Sequence, residues 1–351
     1  MIASFSGRIK GWQLKRRSLL RAVVTTGVAA AAGAADVRSA AAATDYLIVV
    51  VEQAANQIQR FSNGTTDWNT SPEWYWSAPS TDTWKYLADA KRRLTANWDD
   101  VLVCCANGTA STGGRAAMVR ESDKAVVWTA VVPGNPHSVE RIDGHGAIVT
   151  ASAKQRATGD SYENGGGINL FVPSTHGGLP PTSFADSIST GFPGAHGVLW
   201  DDSNECLLAI GDNELRAYRL VTNSSGIITG LSKVATLAFS GTGHDLQPDY
   251  ASLDILYTVG GDAGNPDHGI WKTRLTFNSA AATWTFASPA RLYDWYFTKS
   301  FSRLPDGTEF WVDAPSAATW WNDTVGFSGR SDSVRTGAKF YKARFWSHVL
   351  S

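Results

Sequence analysis

The sequence predicts an all-β protein folded as a single β-propeller. Three observations lead there. Among 351 residues, Gly is frequent (33), Trp very frequent (15) and Met nearly absent (2), a balance that favours many short strands joined by turns. From Asp45 onward, short apolar runs alternate with Gly, Asn, Asp and Pro turns, and no stretch sustains a 3.6-residue period. The runs group into units of about 45–55 residues, the repeat length of propeller blades.

The units follow in order. The first has Tyr46 to Val51, Gln57 to Phe61 and Trp74 to Trp76. The second has Val101 to Cys105 and Val126 to Trp128. The third has Ser138 to Ile142, Ala147 to Ala151 and Ile168 to Val172. The fourth has Gly197 to Trp200, Cys206 to Ile210, Leu215 to Leu220 and Val234 to Phe239. The fifth has Ile255 to Val259, Gly269 to Leu275 and Trp284 to Phe286. The sixth has Phe301 to Leu304, Glu309 to Asp313, Thr324 to Ser328 and Lys339 to Trp346. Six blades are expected, with five or seven left open, and a β-sandwich or a two-domain protein is the competing architecture. The first unit lacks an inner strand, so a terminal segment is expected to complete it and close the ring, which protects sheet edges. The best helix candidate, Thr83 to Arg93, is short. Gly113-Gly114 reads as a turn. The adjacent Cys104 and Cys105 read as buried strand, and three cysteines make no disulfide framework.

Residues 1–43 read as an export leader, leaving 44–351 as the propeller domain. Lys15-Arg16-Arg17-Ser18-Leu19-Leu20-Arg21 precedes an apolar run from Ala22 to Ala35, and small residues lead to Ala41-Ala42-Ala43. The paired arginines resemble a twin-arginine signal. The apolar run is too short to span a membrane. The leader holds seven of the 31 Lys/Arg and one of the 32 Asp/Glu, so the remainder carries 24 bases and 31 acids, a net −7. An acidic chain without a basic run is a poor partner for nucleic acid or anionic membrane. A secreted monomer that meets a soluble ligand or an extracellular glycan is expected.

One position recurs. Three units open their inner strand with Asn135-Pro136-His137-Ser138, Gly194-Ala195-His196-Gly197 and Thr242-Gly243-His244-Asp245, and the sixth has Lys299-Ser300 there. Counting back from Leu94 puts Asp89 at this place in the second unit. Successive intervals from Asp89 are 48, 59, 48 and 55 residues, close to the repeat length. Inner strands line the axis, so these residues are expected to converge on one channel mouth. Loops reaching the same mouth bring Glu52, Gln53, Asn56, Asp160, Tyr162, Glu163, Asp212, Asp262, Asp267, His268, Asp313, Trp320 and Trp321. Polar groups in a funnel rimmed by aromatic rings form a binding site. Histidines here can equally hold neighbouring blades together. Asp160 to Asn164 lacks calcium-loop spacing. Phosphate-loop, nucleophile-elbow and His-Glu-x-x-His motifs are absent from the sequence.

Asp45 to Trp76, with Glu52-Gln53-Ala54-Ala55-Asn56 and Trp74-Tyr75-Trp76, resembles the opening of a family of secreted bacterial β-propellers of unknown function. Asn135-Pro136-His137-Ser138, Ala195-His196-Gly197, Gly243-His244-Asp245-Leu246 and Lys299-Ser300 look like its later landmarks. The resemblance implies a propeller and an extracytoplasmic site, and no particular reaction. More distantly, a His-lined mouth is similar to oligogalacturonate lyases and other carbohydrate-active propellers.

The expected activity is a polysaccharide lyase acting on a uronate-containing glycan. Elimination needs a base, a neutraliser of the carboxylate and an acid. His137, His196 or His244 is the candidate base, Lys299 the neutraliser with Arg92 or Arg93, and Tyr162 the acid. Trp320 and Trp321 offer stacking faces, and Glu52, Asn56 and His268 substrate contacts. Asp89, His137, His196 and His244 are also candidate ligands of a divalent metal ion. Glycoside hydrolysis through Glu52 and a second carboxylate, or binding without catalysis, are the alternatives.

Overall fold

The computed structural model describes residues 46–109, 111–153, 166–261, 264–316 and 318–347. The expected leader, and Asp160, Tyr162, Glu163 and Asp262, lie outside them.

Strand β1 (Leu47–Glu52) is a run of β-branched residues suited to a buried strand. It turns through Gln53 to Asn56, where Asn56 adopts φ 54°, into β2 (Gln57–Ser62), and β3 (Trp74–Ser77) follows. The second sheet is β4 (Leu87–Leu94), β5 (Asp100–Thr109), β6 (Gly113–Arg120) and β7 (Val126–Val132). The third is β8 (Pro136–Arg141), β9 (Ile148–Ser152), β10 (Gly167–Phe171) and β11 (Ile188–Gly191).

The fourth sheet has six strands: β12 (Gly197–Asp201), β13 (Cys206–Thr222), β14 (Ile228–Pro248), β15 (Ile255–Gly260), β16 (Gly269–Thr273) and, beyond a hairpin, β19 (Ala290–Tyr293). The hairpin is β17 (Leu275–Asn278) with β18 (Thr283–Phe286). The fifth sheet is β20 (Thr298–Arg303), β21 (Glu309–Asp313), β22 (Thr324–Phe327) and β23 (Ser333–Val334). Finally β24 (Phe340–Phe345) pairs antiparallel with β1 and completes the first sheet.

The chain is thus a β-propeller whose ring is closed by its C-terminal strand, as the missing first inner strand required. Around the axis, β24, β4, β8, β12, the end of β14 and β20 pack side by side in a closed circuit. Among the described residues the ring has five sheets, the β17–β18 hairpin standing apart from them, so six separate blades are not seen. The reason lies in β13 and β14. The start of β13 pairs with β12, its remainder with the start of β14, and the end of β14 with β15. The fourth and fifth repeats therefore share one sheet.

Four local expectations are corrected. Thr83 to Arg93 is not helical: a single 3-10 turn at Asp82–Trp84 leads into strand β4. Gly113-Gly114 begins strand β6. Trp284 to Phe286 lies in the β17–β18 hairpin, and β19 supplies the strand beside β16. Lys339 to Trp346 belongs to the first sheet, not the last.

The core lies between sheets. Trp68 is fully buried and stacks on Phe61 with centroids 4.4 Å apart; Trp128 meets Phe171 edge-on at 5.3 Å. Such rings each bury about 150–250 Å² and dominate packing. Cys104, Cys105 and Cys206 are buried free thiols. No helix of the described residues is long and apolar enough to cross a membrane.

Candidate functional site

In every inner strand but β12, a slip in the pairing decides what faces the mouth. In β8, the pairing with β9 slips between Pro136 and Ser138, so His137 is the bulged residue. In β14, the slip between Gly243 and Asp245 leaves His244; in β20, that between Thr298 and Ser300 leaves Lys299. In β24 the slip frees Tyr341. His196 immediately precedes β12, its N–H bonded to the Ile210 carbonyl at 2.9 Å. Bulges re-aim side chains in this way.

The result is a cavity of about 580 Å³ at one mouth of the ring. His137, His196, His244 and Lys299 all line it, so the recurring residues converge as expected. Trp320 and Gln53 line it too, together with Tyr86, Asn107, Gly108, Thr109, Gly134, Asn135 and Tyr341. The His137 and His196 rings stack with centroids 4.1 Å apart, and His244 stands edge-on to His196 at 5.1 Å. His137 Nδ1 pairs with the Tyr341 hydroxyl at 3.0 Å, and His196 Nδ1 with the Gly194 carbonyl at 2.6 Å. His244 Nδ1 has no hydrogen-bond partner among the described residues. At the rim, half-exposed Trp320 donates Nε1–H to Gln53 Oε1 at 3.0 Å and meets Tyr86 edge-on.

Beneath the mouth the strand period of two stacks polar side chains along the axis. Lys342 Nζ donates to the His137 carbonyl at 3.2 Å and pairs with Asp245 Oδ1 at 3.5 Å. Arg344 bridges Asp89 at 3.0 Å and Asp245 at 2.7 Å. Lys91 reaches Glu140 at 3.4 Å, and Arg93 holds Glu140 through two 2.7 Å bonds. These charges are buried and mutually paired, which such groups require.

The electrostatics follow. Burial, and then the neighbouring imidazoles and lysines, hold the His137 and His244 imidazoles well below their ordinary pKa. Burial pulls His196 down to about 4, although its Gly194 bond opposes this. Burial and then Lys342 bring Lys299 down to about 8. Burial, then Asp245 and Asp89, push the Tyr341 hydroxyl up. At neutral pH the mouth presents three uncharged imidazoles, two phenols and an ammonium, and no Asp or Glu among its described lining residues. That set favours an anionic ligand.

Other expected site residues lie elsewhere. Asp89 is one residue off: the β4 slip falls between Leu87 and Asp89, so Ala88 is the bulged residue of that strand, and neither Ala88 nor Asp89 is in the described lining. Asp89 sits beneath, with its carboxyl pulled low by Arg344 and Lys91 against the upward push of burial. It joins no metal set with the histidines, and no group of three His, Cys, Asp or Glu suited to a metal occurs among the described residues. The two closest imidazoles stack face to face and so do not aim at a common point.

Arg92 pairs with Glu121 at 2.8 Å and with Asp100, and Arg93 with Glu140; neither lines the mouth. Glu52 is a turn cap. Its carboxylate accepts from the N–H groups of Ala54 at 2.8 Å, Ala55 at 2.5 Å and Lys339 at 2.7 Å. Asn56 carries the positive φ of that turn. His268 is tied by Nδ1 to the Asn265 carbonyl at 2.5 Å and stacks on Tyr296. Trp321 lies under Lys339, whose Nζ is 5.0 Å from the ring centroid. Asp212 accepts from Thr242 Oγ1 at 2.8 Å, and Asp267 from the Ser240 N–H at 2.7 Å. Asp313 faces Thr298 across β20–β21 and is not in the lining.

Tyr341 is the mouth residue that sequence reasoning missed. The sequence places Lys339 to Trp346 last in the sixth unit; the signal pointing elsewhere is that Tyr341 follows Lys299 by only 42 residues, near the repeat length.

No curated protein matches the chain in sequence. Among solved structures, a functionally unknown protein from Desulfotomaculum acetoxidans is similar at 12% identity, covering 85% of this chain and 79% of that one, with TM-score 0.48. The β-propeller domain of Myceliophteria thermophila Cps50 (Swd1) is 10% identical, covers 86% of each chain and has TM-score 0.46. A putative 6-phosphogluconolactonase from Bacteroides uniformis is 11% identical over 86% of this chain and 99% of that one, with TM-score 0.43. A family model matches residues 15–349, nearly the whole chain, and the protein belongs to that family, a family of unknown function (DUF6528).

Proposed function

We propose that the mouth is the active site of an exported carbohydrate-active enzyme, a lyase that cleaves a uronate-containing glycan by β-elimination. The observation that carries this reading is the cavity of about 580 Å³ in which three neutral imidazoles and two phenols surround one ammonium, with no carboxylate among the described lining residues. Its volume lies in the range of about 300–1,000 Å³ that holds a small ligand. Lys299 neutralises the substrate carboxylate and so acidifies the C5 proton. His244, whose Nδ1 is unengaged, accepts that proton. The electron pair forms the C4–C5 double bond as the C4–O bond breaks. Tyr341, poised on His137 Nδ1, protonates the departing oxygen. Half-exposed Trp320 offers a stacking face at the rim. Hydrolysis is less well supported, since it ordinarily uses two carboxyl groups.

A panel of uronate-containing glycans tests this, read by the ultraviolet absorbance of the unsaturated product. His244→Ala should lower turnover by about 10²–10⁴-fold while remaining folded. Calorimetric binding without product from any panel member refutes the lyase and leaves a binding propeller. Export is read from Arg16-Arg17 and the apolar run that follows. Replacing both arginines by Lys should retain the protein in the cytoplasm; undiminished export excludes the twin-arginine route.

A further inference from the structure

Two aromatic side chains stand exposed together on the rim of the mouth. Tyr86 is 47% exposed and Trp320 48%, and both line the cavity that holds the imidazoles and Lys299. Their rings meet edge-on, with centroids 6.2 Å apart and planes at 81°, and so form a corner. They come from distant parts of the chain: Tyr86 directly precedes β4, and Trp320 lies between β21 and β22. Single exposed apolar residues are ordinary, but adjoining ones at the edge of a cavity mark a ligand surface.

The corner is built at a cost and then held. Tyr86 has φ 59°, a left-handed conformation that a bulky residue seldom adopts and that costs energy. It is pinned there: its carbonyl accepts the Asn107 N–H at 3.0 Å, and the Lys85 carbonyl accepts the Gly108 N–H at 2.9 Å. Gln53, in the turn between β1 and β2, straps the two rings together. Its Oε1 accepts the Trp320 Nε1–H at 3.0 Å, and its Nε2–H donates to the Leu87 carbonyl, next to Tyr86, at 2.8 Å. The Gln53 N–H is itself bonded to the Lys339 carbonyl at 2.9 Å. Strained backbone persists where the surrounding structure enforces it, and it clusters at ligand clamps. A ring that remains nearly half in water gives the fold little in return.

We propose that this corner is a second subsite, which stacks the C–H face of a pyranose unit linked to the uronate in the mouth. The inference rests on the proposed reading of the mouth as a uronate site. A pyranose carries its hydroxyls around its edge and C–H groups on its faces, and an aromatic face covers the latter. Both ends of the Gln53 amide are engaged in holding the rings, and Lys85 beside them is paired with Asp82 at 2.8 Å. The corner therefore offers ring surface and reads the shape of the unit. Lys299 fixes one unit by its carboxylate, and Tyr86 and Trp320 fix the next by its face. The substrate class is then a glycan of at least two pyranose units, and not a free sugar acid.

Titration calorimetry of the full protein tests this with glucuronate and galacturonate, each as the free monosaccharide and as its 1,4-linked dimer. For a uronate that binds, the dimer should bind about tenfold or more tighter than the monosaccharide. Trp320→Ala and Tyr86→Asn should each bring the dimer to within about threefold of the monosaccharide. Asn tolerates left-handed backbone, so Tyr86→Asn should also melt no lower than wild type. A ring that only packs would show the reverse, a lower melting temperature with the dimer preference intact, and that result overturns the role of Tyr86. The wild-type comparison decides the matter even if a variant does not fold. If a monosaccharide binds and the second unit adds nothing, or the gain survives both substitutions, the rim subsite is wrong while the mouth reading stands. If none of the probes binds, the uronate reading of the mouth falls and takes this inference with it.

Discussion

The imidazole cluster should make the protein lose stability on mild acidification. His196 is held at a pKa of about 4, against an ordinary 6.5. A group with a depressed native pKa that is charged when protonated binds more protons in the unfolded chain, so stability falls as pH drops through 6.5 towards 4. At about 1.36 kcal/mol per unit, the full shift is worth about 3 kcal/mol, of which about 2 kcal/mol is lost between about pH 7.5 and about pH 5. His137 and His244 act in the same direction. Asp313, which burial pushes up to about 6, acts oppositely and gains stability over the same window. The wild-type slope alone therefore does not isolate the cluster. His196→Gln does: it should lose about 2 kcal/mol less than wild type between these pH values. Urea unfolding at a series of pH values reads both slopes. Equal slopes for the two proteins would refute the argument that burial keeps this imidazole uncharged.

Three further outcomes follow from the same geometry. Arg344→Met strands the buried Asp89 and Asp245 carboxylates and should cost about 3–5 kcal/mol in chemical unfolding; a loss under about 1 kcal/mol would mean the axial network is not holding the ring. Uronate affinity should decline as pH rises through about 8, where free Lys299 loses its proton, and Lys299→Arg should abolish that decline. Cys104, Cys105 and Cys206 are buried, with Cys206 pushed up to about 12, so an alkylating reagent at neutral pH should label the protein only after unfolding; rapid labelling of the native protein would contradict the packing of β5 and β13.

The sequence by itself determined the all-β class, the repeat, the need for a terminal strand to close the ring, and the convergence of His137, His196, His244 and Lys299. These are local or periodic properties. Alternation of apolar runs sets the strands, and a position repeated at the unit length must recur around one axis. Only the tertiary structure decided what depends on register and on distant partners. A one-residue slip in β4 gave the bulge to Ala88 and turned Asp89 to the buried axial network, because a shift of one residue in a strand reverses which side chains face the axis. Ring closure moved Tyr341 from an outer edge to the site. Arg93 was withdrawn from the ligand by Glu140, 47 residues away, and Glu52 by the Lys339 N–H, 287 residues away. A buried charge must find its counter-charge wherever the fold brings one, and that neighbour cannot be read along the chain.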